Sequence, residues 1–251
     1  MPIRQPIKKL LAAALPSQWI FWAGRPGQVS LTFDDGPDPR HTPRLLDVLE
    51  AHDVKATFCL TGRNVLRHPE LVSRIDAGGH DIVNHGYSHL DARKVGFARY
   101  RQDLEDGFRC LRDRLRRDVR LYRPPYGSTT PLVLLYCVAM KYPVVLWDLD
   151  SMDWKRVSVE AIRQAVTRGN SWSGHVMLFH DNNEHTLRFM PELIVAGKRA
   201  GCAFSTVSQA MQGGDAVLAV SLADYREKRM EANDGQQLTG RACRPAGVAR
   251  G

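Results

Sequence analysis

The chain has 251 residues, 43% of them hydrophobic and 25% charged, and this balance allows one globular domain with a sizeable core. The net charge is +8, but no basic stripe is interleaved with aromatic residues, which argues against nucleic-acid binding. The five cysteines form no C-x-x-C pair, so we expect reduced thiols in the core.

Residues 1–28 are predicted to form an N-terminal segment that packs on or near the main domain. Their apolar run, residues 10–15, is shorter than a typical signal-peptide core and far shorter than a membrane span. We therefore expect a cytoplasmic protein without a transmembrane segment. A surface-lying helix that continues into residues 19–22 would permit weak peripheral contact with a membrane, although packing against the domain is the favoured use.

Along residues 29–211, short apolar runs alternate with segments of helical period. Strands are predicted at residues 29–33, 56–60, 80–83, 121–122, 144–147, 176–179 and 202–204. Helices are predicted at residues 42–51, 64–77, 97–115, 131–141, 159–167, 186–200 and 207–211. About seven repeats of this kind predict an α/β fold whose parallel strands curl into a barrel or an open sheet. The periodicity fades in the C-terminal extension, residues 212–251, which we expect to be flexible from about residue 231.

Polar residues cluster directly after five of the predicted strands. They are Asp34 and Asp35, His85 and His89, Arg123 and Tyr126, the group Asp148, Asp150 and Asp153, and finally His180 and Asp181. In a β/α barrel all five clusters would converge on the face at the carboxyl ends of the strands. The pattern therefore predicts a functional site on that face.

Adjacent carboxylates at Asp34 and Asp35 repel each other, and a bound cation would relieve the repulsion. His85 and His89 are four residues apart, so a single turn would bring both imidazoles to one ion. Taken alone, the aspartates could cap a turn and the histidines could be structural. Together, two histidines and Asp35 leave coordination positions open, as in catalytic zinc sites and in non-haem iron oxygenases. Asp34 as a neighbouring base favours a hydrolase.

In this order, the clusters resemble the motifs of the polysaccharide deacetylases of the NodB-homology type, carbohydrate esterase family 4. The resemblance covers residues 29–211, and its most specific motif is residues 32–37, Thr-Phe-Asp-Asp-Gly-Pro. It implies a distorted (β/α)7-type barrel, in which Asp34 is the general base and Asp35, His85 and His89 bind one divalent ion. Gly86 stands where the family usually has Ser or Thr, so a hydroxyl that braces the histidine loop is missing.

The resemblance also implies roles for residues of the later motifs. Arg123 would hold the base, and the backbone N–H of Tyr126 would contribute to the oxyanion hole. Asp150, or as second choice Asp153, would orient His180, which would protonate the leaving amine. The residues expected to contact substrate are Tyr126, Asp153, Trp154 and Leu178, the last in the pocket for the acetyl methyl group.

The expected function is metal-dependent hydrolysis of acetyl groups from N-acetylglucosamine-containing oligo- or polysaccharides, with release of acetate. Zinc is the expected ion, with cobalt, manganese and nickel as alternatives. The same machinery could act on O-acetyl esters, and a catalytically silent carbohydrate-binding barrel is a further alternative. The sequence leaves the exact glycan and the oligomeric state open.

Overall fold

The computed structural model describes residues 20–21, 26–155, 158–167 and 174–212, all within the compact unit Leu15–Ala216. The strands are β1 (Ile20–Phe21), β2 (Gln28–Asp34), β3 (Thr57–Leu60), β4 (Asp81–Asn84), β5 (Val144–Val145), β6 (Leu149–Asp150), β7 (His175–His180) and β8 (Ala203–Phe204). The helices are α1 (Thr42–Ala51), α2 (Gly62–Arg67), α3 (Pro69–Ala77), α4 (Phe97–Leu115), α5 (Pro131–Ala139), α6 (Val159–Thr167), α7 (Glu184–Arg199) and α8 (Val207–Gln212).

Most predictions for the two chain ends lie outside the described residues. They concern residues 1–19, residues 22–25 and the C-terminal extension from residue 213 onward. The domain boundaries, the flexible tail and the cytoplasmic location therefore stay predictions. Ile20–Phe21 is described, and it forms strand β1 parallel to β5 rather than part of a helix. Phe21 is buried in this strand.

The predicted elements agree with the observed ones except at three places. The single helix predicted at residues 64–77 is two helices, because Pro69 excludes helical geometry at His68 (φ −131°, ψ 56°). The strand predicted at residues 144–147 is shorter in the structure, where β5 ends at Val145. Strand β6 follows as a separate element. The strand predicted at residues 121–122 is reduced to isolated bridges made by Tyr122.

All strand pairs are parallel, and β2 is the centre of the sheet. The strand order is β4-β3-β2-β7-β6, and β8 pairs with the first residues of β2. On the far side, Tyr122 bridges Asn84 at the end of β4 to Val144 in β5. Because β6 begins four residues after β5 ends and pairs with β7, the segment 144–150 closes the circle of strands. The result is a distorted barrel rather than an open sheet.

Buried apolar residues fill the space within and around the strands. In β2, every residue from Val29 to Asp34 is buried, as expected of a parallel strand covered on both faces. The Phe33 ring lies 5.4 Å from that of Phe58 and 5.9 Å from that of Phe179, centroid to centroid. Packing across β3, β2 and β7 thus aligns β2 and β7, the strands at whose ends Asp34 and His180 lie.

Helix α4 shows why the helical periods were predictable. Its buried residues follow the i, i+4, i+7, i+8, i+11 spacing of one helix face, and they are Tyr100, Leu104, Gly107, Phe108 and Leu111. The other face is rich in charge, so the helix has one face for the core and one for water. Within the described part of the chain, no helix combines the length and the apolar character needed to cross a membrane.

His80 gives the fold a measurable pH dependence. The residue is buried beside the Phe58 ring, and its Nδ1 accepts a hydrogen bond from the Ala56 N–H (3.1 Å). Burial, with a smaller contribution from the nearby charge of Lys55, lowers the pKa of His80 to about 4. The unfolded chain therefore takes up a proton near pH 6.5 that the folded chain accepts only near pH 4.

We predict that the free energy of unfolding falls as the pH drops from about 6.5 through 4, with His80 contributing roughly 2 to 3 kcal/mol. His80→Asn retains an acceptor near the Nδ1 position but does not titrate, so its unfolding free energy should vary less over this range. Urea denaturation of both proteins at several pH values tests this. Parallel pH curves for the two proteins would contradict the assignment.

Candidate active site

Strand register brings the first and last polar clusters together at one end of the barrel. Asp34 ends β2, and its register partners are Cys59 on β3 and His180 on β7. Asp35 follows Asp34 into the loop, and His85 directly follows β4. The structure therefore brings these polar residues together at the carboxyl ends of the strands, as predicted.

Arg123 holds Asp34 inside the barrel. Both side chains are buried, and the Nη1 of Arg123 donates to the Oδ1 of Asp34 (2.7 Å) and to the hydroxyl of Thr32 (2.7 Å). Its remaining donors reach the carbonyl oxygens of Val145 (3.3 Å) and Leu146 (3.1 Å). Burial alone would raise the pKa of Asp34, but Arg123 and the neighbouring histidines lower it. Asp34 is thus held as a carboxylate.

Asp35, His85 and His89 form the candidate metal centre. One ligand atom from each lies within 4.8 Å of the other two. The Oδ1 of Asp35 is 3.1 Å from the Nε2 of His89 and 3.6 Å from the Nε2 of His85. The Nδ1 of His85 is 2.8 Å from the carbonyl oxygen of Arg123. Because a carbonyl can only accept, Nδ1 carries the proton and Nε2 is left as the ligand atom.

The electrostatic surroundings of these three residues favour a bound cation. Burial lowers the pKa of His85 and of His89, which favours the neutral imidazoles that bind metals. Burial raises the pKa of Asp35, and its Oδ1 is buried without a hydrogen-bond partner. An unpartnered buried carboxylate oxygen facing two imidazole nitrogens is a defect unless a cation completes the site. The residues therefore fit a divalent ion.

Four of the seven non-glycine residues with a positive φ in the described part of the chain lie at this end of the barrel. Asp35, His89, Tyr126 and Met152 adopt the left-handed region, with φ of 75°, 59°, 60° and 59°. Such angles cost roughly 1 kcal/mol or more for residues other than glycine, and they persist only where the surroundings enforce them. The strained residues include two of the three candidate metal ligands, which is typical of a functional site.

The glycine at position 86, where the resemblance led us to expect Ser or Thr, has a structural explanation. The carboxylate of Asp103, from α4, accepts hydrogen bonds from the N–H groups of Tyr87 (2.9 Å) and Ser88 (3.0 Å). A Cβ on Gly86 would lie only 2.9 Å from the Oδ2 of Asp103, and the φ of Gly86 is +74°. Asp103 thus braces the histidine loop in place of the missing hydroxyl. Sequence reasoning missed Asp103, because it lies on a helix far from any motif.

Asp153, not Asp150, contacts His180. The Oδ1 of Asp153 is 2.7 Å from the Nδ1 of His180, and its Oδ2 accepts from the His180 N–H (2.8 Å) and the Thr186 hydroxyl (2.5 Å). Asp150 instead accepts from the Met152 N–H (2.8 Å) in the turn. The predicted order of these two aspartates was wrong. The turn with left-handed Met152 presents the later residue to β7.

His180 is positioned and charged as a proton donor. Burial alone would lower the pKa of His180, but the hydrogen bond and charge of Asp153, together with Asp34 and Asp35, raise it to about 9. The imidazole is therefore cationic at neutral pH. With Nδ1 bound to Asp153, Nε2 is the atom left to donate a proton.

The predicted substrate contacts surround the same centre. The Tyr126 ring lies 4.5 Å from that of His89, centroid to centroid, and Tyr126 is 62% exposed. Trp154 follows Asp153 directly and is 54% exposed. Leu178 is buried in β7, in register with Thr32 of β2. The Tyr126 ring thus borders the candidate metal centre, Trp154 adjoins Asp153 in the chain, and Leu178 lies two residues before His180 in β7.

Trp147 is a second residue that sequence reasoning missed. The Arg123 guanidinium carbon lies 5.6 Å from the Trp147 ring centroid. The same ring underlies the turn after Tyr126, because a Cβ on Gly127 would come within 2.8 Å of it. Trp147 therefore contacts both the arginine that holds Asp34 and the turn that holds the Tyr126 backbone. Its position after β5 was the available signal.

Comparison with known proteins agrees with this arrangement. A family model described as polysaccharide deacetylase matches residues 23–145. A peptidoglycan-N-acetylglucosamine deacetylase of Bacillus cereus is 36% identical over 189 residues, covering 74% of this chain and 68% of the relative. A chitooligosaccharide deacetylase of Bradyrhizobium sp. (strain ANU 289) is 34% identical over 188 residues, covering 69% of this chain and 85% of the relative.

Solved structures show the same fold. The crystal structure of the Bc1960 peptidoglycan N-acetylglucosamine deacetylase matches with a TM-score of 0.73 and 34% identity, over 78% of this chain and 96% of that one. A pseudoenzyme of carbohydrate esterase family 4 from Bacillus anthracis matches with a TM-score of 0.72 and 26% identity, over 78% of this chain and 70% of that one. The fold is therefore found in active enzymes and in at least one pseudoenzyme.

The site and its surroundings define a hydrolase of the α/β barrel type with a candidate metal centre. The chain belongs to the polysaccharide deacetylase family. The predicted family, fold class and enzyme class are thereby confirmed. Family membership and the cluster of Asp35, His85 and His89 together support a divalent metal.

We predict that His85→Ala and His89→Ala each remove bound metal while the fold is retained, because both residues lie outside the elements of the core. His41→Ala is the matched control, since His41 is a histidine of the same end of the barrel that is absent from the cluster. Elemental analysis measures the metal, and circular dichroism measures the fold. Full metal occupancy in both cluster variants would refute the ligand assignment.

We also predict that Trp147→Ala lowers deacetylase kcat by about tenfold or more, since small displacements of positioned groups are costly. The KM of this variant should change little, because the Trp147 ring contacts Arg123 and the turn at Gly127, which position other groups of the site. Trp147→Phe keeps a ring beneath Gly127 and should recover most of kcat. Steady-state kinetics and thermal unfolding of both variants test this. An unchanged kcat in Trp147→Ala would show that the ring has no positioning role.

Proposed function

We propose that the protein hydrolyses N-acetyl groups of N-acetylglucosamine-containing oligo- or polysaccharides, releases acetate and uses zinc. The observation that carries the proposal is the register of β2 and β7, which sets an ionised Asp34 beside a cationic His180. A base and an acid side by side, next to a candidate metal centre, suit amide hydrolysis. The names of the relatives from Bacillus cereus and Bradyrhizobium support the class of glycan.

Asp34 is the general base. Its carboxylate takes the proton from the attacking water, and Arg123 keeps it ionised and fixed in direction. Asp34 and Arg123 are both buried, so little bulk water competes for these hydrogen bonds. A positioned base of this kind typically contributes about 10²–10⁴ in rate.

Asp35, His85 and His89 would hold the metal. A divalent ion bound there supplies Lewis acidity toward a carbonyl group and toward water. Two imidazole nitrogens and one carboxylate oxygen are a donor set typical of catalytic zinc with open coordination positions. Cobalt, manganese and nickel accept the same donors, and the metal content of the purified protein decides among them.

His180 is the general acid. An amine is a poor leaving group unless it is protonated, and the Nε2 of His180 supplies the proton as the carbon–nitrogen bond breaks. Asp153 fixes the ring through Nδ1 and keeps it cationic. Asp34 and His180 thus have opposite tasks, one taking a proton from water and the other giving one to the sugar nitrogen.

The remaining residues bind the substrate. The Tyr126 backbone N–H, held in a left-handed turn, is the proposed donor to the oxyanion, and fixed donors of this kind stabilise tetrahedral intermediates. Leu178 lines the pocket for the acetyl methyl group. Trp154, which is exposed beside Asp153, offers a ring face on which a sugar can stack.

Two alternatives remain distinguishable by experiment. Hydrolysis of O-acetyl esters would use the same residues, but an alcohol leaves more readily than an amine. A silent carbohydrate-binding barrel is the other alternative, and the pseudoenzyme from Bacillus anthracis is a precedent for loss of activity in this fold. The intact contacts of Asp34 with Arg123 and of His180 with Asp153 argue against it. Acetate release from acetylated glycans, with and without a chelator, separates the three functions.

We predict that replacing Asp34 and replacing His180 reduce turnover in different ways. Asp34→Asn should retain metal but lose about 10² or more in turnover on both an N-acetylated sugar and an activated aryl acetate, because each needs an activated water. His180→Ala should lose far more on the sugar than on the aryl acetate, since a phenolate leaves without protonation. Acetate release, compared with wild type on each substrate, measures both. Equal losses on the two substrates for His180→Ala would remove its role as the acid.

A further inference from the structure

Two separate segments carry the histidines of the candidate metal centre and the proposed oxyanion donor. We refer to residues 85–94, after β4, as the histidine loop and to residues 123–128 as the oxyanion turn. His89 in the first and Tyr126 in the second both adopt the left-handed region, with φ of 59° and 60°. Because such angles persist only where the surroundings enforce them, contacts between the two segments must hold each in place.

Two contacts fix the oxyanion turn as far as Tyr126. The carbonyl oxygen of Arg123 accepts the Nδ1–H of His85 (2.8 Å). The Tyr126 ring contacts that of His89, with the two centroids 4.5 Å apart. Both contacts join the turn to the histidine loop, but neither involves the residues that follow Tyr126.

Ser128 joins the two segments on the other side of Tyr126. Its hydroxyl donates to the Oδ1 of Asp91 (2.5 Å), which lies two residues after His89. The same hydroxyl oxygen accepts from the Nε of Arg93 (2.8 Å). Ser128 is buried, and the Asp91 side chain is only 10% exposed. A charge-assisted hydrogen bond that is sheltered from water is stronger than an exposed one.

Hydrogen bonds to the histidine loop thus bracket the Tyr126 N–H. One lies three residues before Tyr126, between Arg123 and His85, and the other lies two residues after it, between Ser128 and Asp91. Without either bond, the turn could rotate about the one that remains. The direction of the Tyr126 N–H relative to the candidate metal centre therefore depends on both bonds.

Resting on the proposed function, we propose that Asp91 and Ser128 are positioning residues for deacetylation. Their hydrogen bond holds the Tyr126 N–H where the oxyanion develops, and neither side chain needs to touch the substrate. A fixed donor of this kind stabilises the transition state more than it stabilises the bound substrate. The contact between Asp91 and Ser128 should therefore act on kcat and leave KM nearly unchanged.

A purely structural role for the same contact makes different predictions. The Oδ1 of Asp91 also accepts from the Arg93 N–H (3.0 Å), a turn stabilised by an aspartate, so Asp91 contributes to the local fold. A contact that only stabilised the loops would raise the melting temperature without changing how the site discriminates a transition state from a substrate. Ser128 is the sharper position for the test, because it lies outside this turn.

Variants of both partners measure the effect on turnover. The substrate is the β-1,4-linked tetramer of N-acetylglucosamine, and the protein carries its metal. Ser128→Ala and Asp91→Ala should each lower kcat by about tenfold or more, with KM within about twofold of the wild-type value. Asp91→Asn keeps an oxygen that accepts from Ser128 and should recover most of kcat. The double alanine variant should be no slower than the slower single variant, because both changes remove the same hydrogen bond.

A tetrahedral inhibitor supplies a readout that a structural role would not move. In the same tetramer, a methylphosphonamidate in place of one acetamide sets a phosphoryl oxygen where the oxyanion would form. The inhibition constant should rise in Ser128→Ala by the same factor by which kcat/KM falls. Hydrogen exchange of the purified protein adds a measure that is independent of turnover. The backbone amides of residues 124–130 should exchange faster in Ser128→Ala than in the wild-type protein.

Tyr136→Phe is the matched control. The Tyr136 hydroxyl donates to the Oε1 of Glu105 (2.9 Å), and this bond joins α5 to α4 rather than two loops of the site. The control therefore loses one side-chain hydrogen bond between neighbouring segments, as Ser128→Ala does. Its kcat, KM and inhibition constant should equal those of the wild-type protein. Elemental analysis and circular dichroism verify that each variant retains its metal and its fold.

The outcomes separate this inference from the proposed function. An unchanged kcat in Ser128→Ala, or an inhibition constant that does not follow kcat/KM, would overturn the inference and leave the proposed function standing. Loss of metal in Ser128→Ala, or an equal loss of kcat in Tyr136→Phe, would do the same. If Asp91→Ala does not fold, Ser128→Ala and Asp91→Asn decide. No acetate release by the wild-type protein from any N-acetylglucosamine-containing glycan would overturn the proposed function, and the inference with it.

Discussion

The buried contact between Arg123 and Asp34 is the interaction on which the rest of the site depends. A charge inside the barrel is tolerated only when it is paired and hydrogen-bonded, and the donors of Arg123 reach β2, the end of β5 and the residue after it. The carbonyl oxygen of Arg123 also accepts the Nδ1–H of His85. Arg123 therefore orients Asp34, the proposed base, and fixes the tautomer of His85, a candidate metal ligand. The same side chain connects β2 to the end of β5, so the closure of the barrel and the geometry of the site depend on one residue.

Two neighbouring aspartates acquire different properties from their surroundings. Arg123 lowers the pKa of Asp34, whereas burial raises that of Asp35, whose Oδ1 has no hydrogen-bond partner. The first is held as a carboxylate by Arg123, and a bound cation would keep the second ionised. On the neighbouring strand β7, the hydrogen bond and charge of Asp153 raise the pKa of His180. The proposed acid, base and metal ligand thus differ in their surroundings, although the side chains themselves are common ones.

Supporting residues complete the site from elements that carry no motif. Asp103 braces the histidine loop from α4, and its carboxylate occupies the space that a side chain at Gly86 would need. Trp147 supports both Arg123 and the turn at Gly127. The histidine loop is therefore braced from a helix, at the position where the resemblance led us to expect a hydroxyl.

The sequence alone determined the features that depend on local order. Periodicity predicted α1, α4 and α6 to the residue, and the clusters after each strand identified Asp34, Asp35, His85, His89 and His180 as neighbours. Only the tertiary structure decided between Asp150 and Asp153, closed the barrel through Tyr122, and added Asp103 and Trp147. The reason is physical: periodicity and capping act within a few residues, whereas a turn's direction, strand register and packing depend on contacts between distant parts of the chain.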